Sequence, residues 1–141
     1  LIYVDHANEA IAAVHAGWKG LVQGIHRVPF EKRLFDPKTT WVWVGPSLNG
    51  TSFETQADMW TQFGRAADDP KFFRPVAGSP TKRHFFAWDY IRHEFESLGV
   101  ELIYNVEVDT LAAPAFNSYR RNTRAGATGP TPSNYCWIGF R

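Results

Sequence analysis

A single cysteine, Cys136, is all that the 141 residues contain, so no disulfide can close within the chain. That argues against an extracellular disulfide scaffold and for a reducing, cytosolic setting. An excess of either charge is also missing. Fifteen Lys and Arg stand against fourteen Asp and Glu, a net charge of +1, which offers no field for nucleic acid or an anionic membrane. No apolar run reaches the length of a membrane span, and the opening LIYVDHANEA has neither the basic flank nor the apolar stretch of a signal peptide. An initiating methionine is absent too. Because LIYV reads as a strand from its first residue, the expectation is of a fragment, a processed product or the ordered part of something longer. The patterns of common sites are equally scarce: there is no cysteine pair, no H-E-x-x-H, no G-x-S-x-G and no Walker loop.

What is present is an ordinary globular balance, 44% hydrophobic and 21% charged, at a length suited to one domain over residues 1–141. Aromatics are plentiful, with 11 Phe, 6 Trp and 5 Tyr. They are scattered rather than threaded through a basic stripe, so core and rim packing accounts for them better than a base-stacking surface. Leu1 to Val4 and Ala10 to His15 read as a hairpin turning around Asn8. From Gly17 the period changes to Leu21, Ile25 and Val28, predicting a helix that Pro29 ends or kinks. TWVWV, Thr40 to Val44, is β-prone and is broken by Gly45-Pro46-Ser47. Thr51 and Glu54 have capping-box spacing, predicting a helix start, and a long polar loop is expected from about Arg65 to Arg83. Trp88 to Leu98 is an amphipathic helix stopped by Gly99. Strands follow over Val100 to Val108 and Tyr135 to Phe140. Without strict strand and helix alternation, the fold class expected is α+β, with mixed β-sheets flanked by helices.

His15 is the residue that raises a question of chemistry. It can be a metal ligand, a general base, or a histidine hydrogen-bonded at a strand end. Gly17 and Gly20 just after it bring bare backbone amides of a helix start beside the imidazole, where an anion would fit. Arg120 and Arg121, adjacent in SYRR, can grip phosphate or carboxylate through paired bonds, or can lie on a solvated turn. Glu54 and Asp89 read as helix caps, His84 and His93 as exposed, and Cys136 as an inert thiol in a buried strand.

Taken in order, HAGWKG (His15 to Gly20), VGPS (Val44 to Ser47), FET (Phe53 to Thr55), WD (Trp88 and Asp89), LGVELI (Leu98 to Ile103) and FNSYRR (Phe116 to Arg121) resemble the laccase-domain family. It is also called YfiH-like or multicopper polyphenol oxidase. The resemblance runs over essentially the whole chain but not over the whole of the family's length. It implies a compact α+β fold with a zinc, or a copper in the older interpretation, held by two histidines and a cysteine. His15 corresponds to the second histidine, while the other two ligands belong to upstream segments that this sequence does not contain. Gly17, Trp18, Arg120 and Arg121 carry over position by position. The chain departs from the family pattern at Asp109-Thr110, where a cysteine often precedes the threonine, and at Gly129-Pro130, where Gly-Arg is usual.

The resemblance implies two activities. Copper-dependent phenol oxidation needs several copper centres rich in histidine and cysteine, which five scattered histidines and one cysteine do not supply. Phosphorolysis of adenosine, inosine or methylthioadenosine, with some adenosine deamination, needs a phosphate cradle beside a nucleoside pocket. The latter is the expectation. His15 would be zinc ligand or general base, Gly17, Trp18 and Gly20 would be substrate contacts, and Arg120 and Arg121 would hold phosphate. The alternative is a truncated or diverged laccase-domain module that binds without catalysis.

Overall fold

The structure is a computed structural model that describes residues 1–130 and 132–140. Strand β1 (Ile2–Asp5) pairs antiparallel with β2 (Ala10–Ala13) on one side and with β3 (Thr40–Val44) on the other. β3 in turn pairs in parallel with β7 (Leu102–Asn105), giving a four-stranded sheet in the order β2-β1-β3-β7. A second sheet has the order β4-β6-β5, from β4 (Gly50–Thr55), β5 (Phe73–Val76) and β6 (Ser79–Phe85). The mixed α+β class expected from the sequence is what these two sheets and their helices form.

Period two decides which side chains point inward. In β1, Tyr3 and Asp5 are buried while Ile2 and Val4 face outward, and in β3 Val42 and Val44 are buried while Trp41 and Trp43 are not. The inner face meets α4 (Ala87–Leu98), whose buried residues Ala87, Tyr90, Ile91, Glu94 and Phe95 recur at helical spacing. Phe95 meets Tyr3 edge to face at 5.9 Å between centroids, and Tyr90 meets Phe85 of the second sheet at 5.8 Å. One helix thus joins both sheets into a continuous aromatic core. Gly99 ends it at φ 76, a left-handed conformation that only glycine adopts without strain.

Four expectations are corrected. The helix after Gly17 is not continuous to Val28: α1 spans only Trp18–Val22, a turn through Gly24 follows, and Pro29 lies in the first turn of α2 (Val28–Glu31). Proline fits there because a first-turn amide has no intrahelical acceptor to lose. Thr51 to Glu54 forms strand β4 rather than a cap, and the short α3 (Ala57–Trp60) begins after Gln56. The expected long loop holds β5 and β6, since Phe73 and Phe85 stack at 4.6 Å in the core and outweigh the prolines around them. Finally, Tyr135 to Phe140 forms no strand, and Cys136 is exposed rather than buried.

Glu94 is the polar exception on α4's buried face. It accepts from Arg27 Nε at 2.8 Å, pairs with the Arg27 Nη2 group, and bonds His26 Nε2 at 2.9 Å. The His26 bond first, then Arg27, hold its carboxyl below the usual range against the opposing effect of burial. His26 is 1% exposed and its Nδ1 has no partner among the described residues, so the ring's hydrogen bonding there rests on Glu94. Glu94→Gln keeps the shape but removes the charge. It is expected to lower unfolding free energy by about 1–3 kcal/mol, read as a shifted urea midpoint at unchanged slope.

Candidate functional site

Three residues separate β2 from the N-cap of α1, and His15 is the middle one. The residue is exposed. A cleft of about 450 Å³ opens beside it, lined by the Val14–Trp18 segment, the Val44–Leu48 loop, Phe53, Ile91, Thr110, Tyr119 and Asn134 among others. This volume is in the range of small-molecule sites. The cleft lies where the parallel strands β3 and β7 end, and two backbone bonds strap the loops together there. Ser47 N donates to Val108 O at 3.1 Å, and Thr110 N donates to Ser47 O at 3.0 Å. The Ser47 hydroxyl accepts from Trp88 Nε1 at 2.7 Å, which leaves its own proton available to a ligand.

Gly17 has a steric reason to be glycine: a Cβ there would sit 3.2 Å from His15 Nε2. Its backbone, at φ −66 and ψ 165, suits any residue. Gly17→Ala is therefore expected to leave thermal stability within about 0.5 kcal/mol of the parent while turning the imidazole aside. The check is a melting curve beside the NMR shifts of the His15 ring, which should move although the melting temperature does not. Gly20 differs. A Cβ there would meet Ile25 Cγ2 at 3.0 Å, so its smallness serves the packing of the turn after α1, although it also borders a shallow hollow shared with His15, Gly17, Trp18 and Lys19. Trp18 walls both spaces.

The arginines are placed otherwise than the sequence implied. SYRR is not a turn but the start of α5 (Tyr119–Arg124), capped by the Ser118 hydroxyl, which accepts from Arg121 N at 3.4 Å. Arg121 donates through Nη1 to the carbonyls of Thr110 at 2.9 Å and Leu111 at 3.1 Å, and through Nη2 to Phe116 O. Its guanidinium ties together the 110–116 loop through these carbonyls. Arg120 donates to Glu54 O at 2.6 Å, with its guanidinium carbon 5.8 Å from the Phe53 ring centre. It stands behind an aromatic wall of the cleft rather than lining it. Burial first, and Arg124 second, draw its pKa below the usual guanidinium value.

Glu54 accepts from Lys82 Nζ at 2.9 Å, an ion pair that holds its carboxyl below the usual range, and it caps nothing. Asp89 lies in the first turn of α4 but makes no cap bond. His93 is exposed as expected, whereas His84 is half-buried with an unpartnered Nδ1. The sequence reading missed Phe53, Thr110, Tyr119 and Asn134 as cleft residues. Tyr119 lay within SYRR, overshadowed by the charges that follow it.

A zinc or copper ion asks for three or more converging donors. Among the described residues no group of three His, Cys, Asp or Glu side chains converges. His15 is the one such donor in the cleft, so the described residues by themselves do not fit the metal that the family resemblance implies. Nor is any described helix long and apolar enough to cross a membrane.

Known proteins share this sequence pattern and fold. A purine nucleoside phosphorylase from Shigella flexneri, YfiH, is 28% identical over 139 residues, covering 98% of this chain and 55% of its own. A purine nucleoside phosphorylase from Pseudomonas aeruginosa is 25% identical over 126 residues, covering 89% and 52%. A crystal structure of a Neisseria meningitidis protein superposes with a TM-score of 0.76 at 25% identity, covering 85% of this chain and 50% of that one. The Bacillus licheniformis hypothetical protein YfiH shares the fold at a TM-score of 0.71. The chain thus spans about half the length of the curated relatives it matches. Residues 1–133 match the multi-copper polyphenol oxidoreductase laccase family, and the chain belongs to it.

Proposed function

We propose that the chain carries the His15 side of a purine nucleoside phosphorylase site, acting on adenosine, inosine or methylthioadenosine with inorganic phosphate in the cytoplasm. The observation that carries this reading is the cleft itself. An exposed imidazole faces aromatic walls, Trp18, Phe53 and Tyr119, suited to a purine, and hydroxyls, Ser47 and Thr110, suited to a ribose.

In phosphorolysis a phosphate oxygen attacks C1′ of the ribose, and the electron pair of the glycosidic bond leaves with the purine. His15 acts as general base toward the attacking phosphate, removing its proton as the new bond forms. Trp18 and Phe53 hold the base by its faces. Arg120, behind Phe53, adds positive potential without direct contact, and Arg121 fixes the loop that bears Thr110. Zinc and the deamination attributed to it belong to the same proposal only through donors beyond those described, and none of these roles passes through a metal.

The rival reading, a module that binds nucleosides without turning them over, is favoured by the incomplete donor set. Both are tested by incubating the protein with each nucleoside, with and without phosphate and chelator. Release of free base that requires phosphate supports the enzyme. A ligand-induced rise in melting temperature without base release supports the module. Neither effect would defeat both.

A further inference from the structure

Helix α4 borders two separate spaces. Ala87 and Ile91 line the His15 cleft, whereas Asp89, Arg92, His93 and Glu96 recur at helical spacing on the opposite side of the helix. There they meet Lys71 and Arg74, just before and within β5, around a hollow of about 320 Å³. Three fixed positive charges, Lys71, Arg74 and Arg92, thus share this space with two carboxylates. Among the described residues none of these five side chains enters an ion pair, so the hollow's charges are not spent on one another.

What separates this hollow from an ordinary solvated face is that two of its donors are held in place before any ligand arrives. Arg74 lays its guanidinium over the Phe86 ring at 3.8 Å and donates through Nε to Pro70 O at 3.1 Å. Stacking covers one face of the group and the Nε bond fixes its rotation. Its Nη edge donates to nothing among the described residues, and that edge is the one that forms paired bonds to phosphoryl oxygens. His93 lies against the Phe72 ring at 5.3 Å. The backbone that carries Lys71 is tied as well, since its amide donates to Asp69 Oδ1 at 2.8 Å and the amides of Phe72 and Phe73 donate to Asp69 O. Groups already ordered lose less freedom on binding.

The carboxylates narrow the ligand. Asp89 and Glu96 repel a bare polyanion but accept from hydroxyl groups. The two rings at hand, Phe86 and Phe72, are taken by Arg74 and His93, which leaves no open platform for a purine or pyrimidine base. We propose that this hollow binds a phosphorylated sugar, its phosphoryl group held by Lys71, Arg74 and Arg92 and its hydroxyls by Asp89 and Glu96. The site is distinct from the His15 cleft and stands whether or not that cleft turns over nucleosides.

The test is an NMR titration of the histidine ring resonances with ribose 5-phosphate, ribose and inorganic phosphate at constant ionic strength. Ribose 5-phosphate is expected to shift the His93 ring saturably, with ribose inert and inorganic phosphate about tenfold weaker. Arg74→Gln and Arg92→Gln should each weaken binding by about tenfold at an unchanged melting temperature, the loss expected of a charge-assisted contact. Asp89→Asn should narrow the margin over inorganic phosphate. Arg92 is exposed on α4, so its variant keeps the test decisive if Arg74→Gln fails to fold. The proposal is overturned by the absence of a saturable change at His93, by a change that Arg92→Gln leaves intact, or by inorganic phosphate binding as tightly as the ester. A shift confined to His15 would place the ligand in the cleft and overturn it as well.

Discussion

Asp5→Ala is expected to lower the unfolding free energy by about 3–4 kcal/mol, a large share of what a domain of this size possesses. Asp5 is fully buried and gathers the start of the fold around one carboxylate. Oδ1 accepts from the amides of Ala7 at 3.2 Å and Asn8 at 3.1 Å and from the Thr39 hydroxyl at 2.8 Å. Oδ2 accepts from Asn8 Nδ2 and from the Asp36 amide, both at 2.8 Å. The carboxylate thereby closes the β1–β2 turn and anchors it to the segment that enters β3. Alanine leaves those donors to compete for water in a space that admits little of it, whereas Asp5→Asn keeps one acceptor and should cost less. Urea titration of the three proteins orders them.

The same residue predicts a pH dependence. Burial pushes its pKa up, but the bonds from Asn8, Asp36 and Thr39 outweigh burial and hold it well below the usual carboxylate value of about 3.9. A depressed folded pKa means that the unfolded chain binds the proton first. The stabilisation is complete above the unfolded value and drains away as pH falls below about 4. The gap in stability between the parent and Asp5→Ala should accordingly be constant from pH 5 to 7 and shrink steadily under more acid conditions. A gap independent of pH would mean that the carboxylate's charge is not what holds the turn.

Period and punctuation made part of this fold legible. The hairpin, TWVWV and the helix closed by Gly99 each satisfy a local rule that the rest of the protein does not contest. The misreadings came where distant contacts overrule local preference. Thr51 to Glu54 has a cap's spacing but lies along β6, whose partner strand β5 is hidden among prolines, and only the stacking of Phe73 on Phe85 explains why that region orders as sheet. Glu94 sits on the face of α4 that periodicity reserves for apolar residues, because His26 and Arg27 arrive from nearly seventy positions earlier.

The cleft divides the same way. His15, Gly17 and Trp18 are neighbours in sequence, so one motif displayed all three. Ser47, Phe53, Thr110 and Tyr119 reach it from four separate segments, each read locally as a breaker, a core aromatic or a loop. The arginine pair shows the limit of reading charge without geometry. Two adjacent guanidiniums look like an anion clamp, but successive helical residues point about 100° apart, and the carbonyls of the 110–116 loop take one of them.

His15→Gln is expected to reduce kcat/KM for phosphorolysis by about 10²–10⁴, the range in which a positioned proton acceptor contributes. Stability should not change, since the ring is exposed and lies in a loop. Glutamine preserves hydrogen bonding and bulk but cannot accept the proton, so nucleoside binding, followed by the ligand-induced rise in melting temperature, should persist while turnover falls. Gly17→Ala supplies the complementary disturbance, leaving the imidazole intact but displaced. If His15 moves the proton, the glycine variant loses rate in proportion to that displacement, and the double variant loses no more than His15→Gln alone, because residues acting through one group are not additive. Equal turnover in parent and His15→Gln would remove the imidazole from the reaction and leave the cleft as a binding surface.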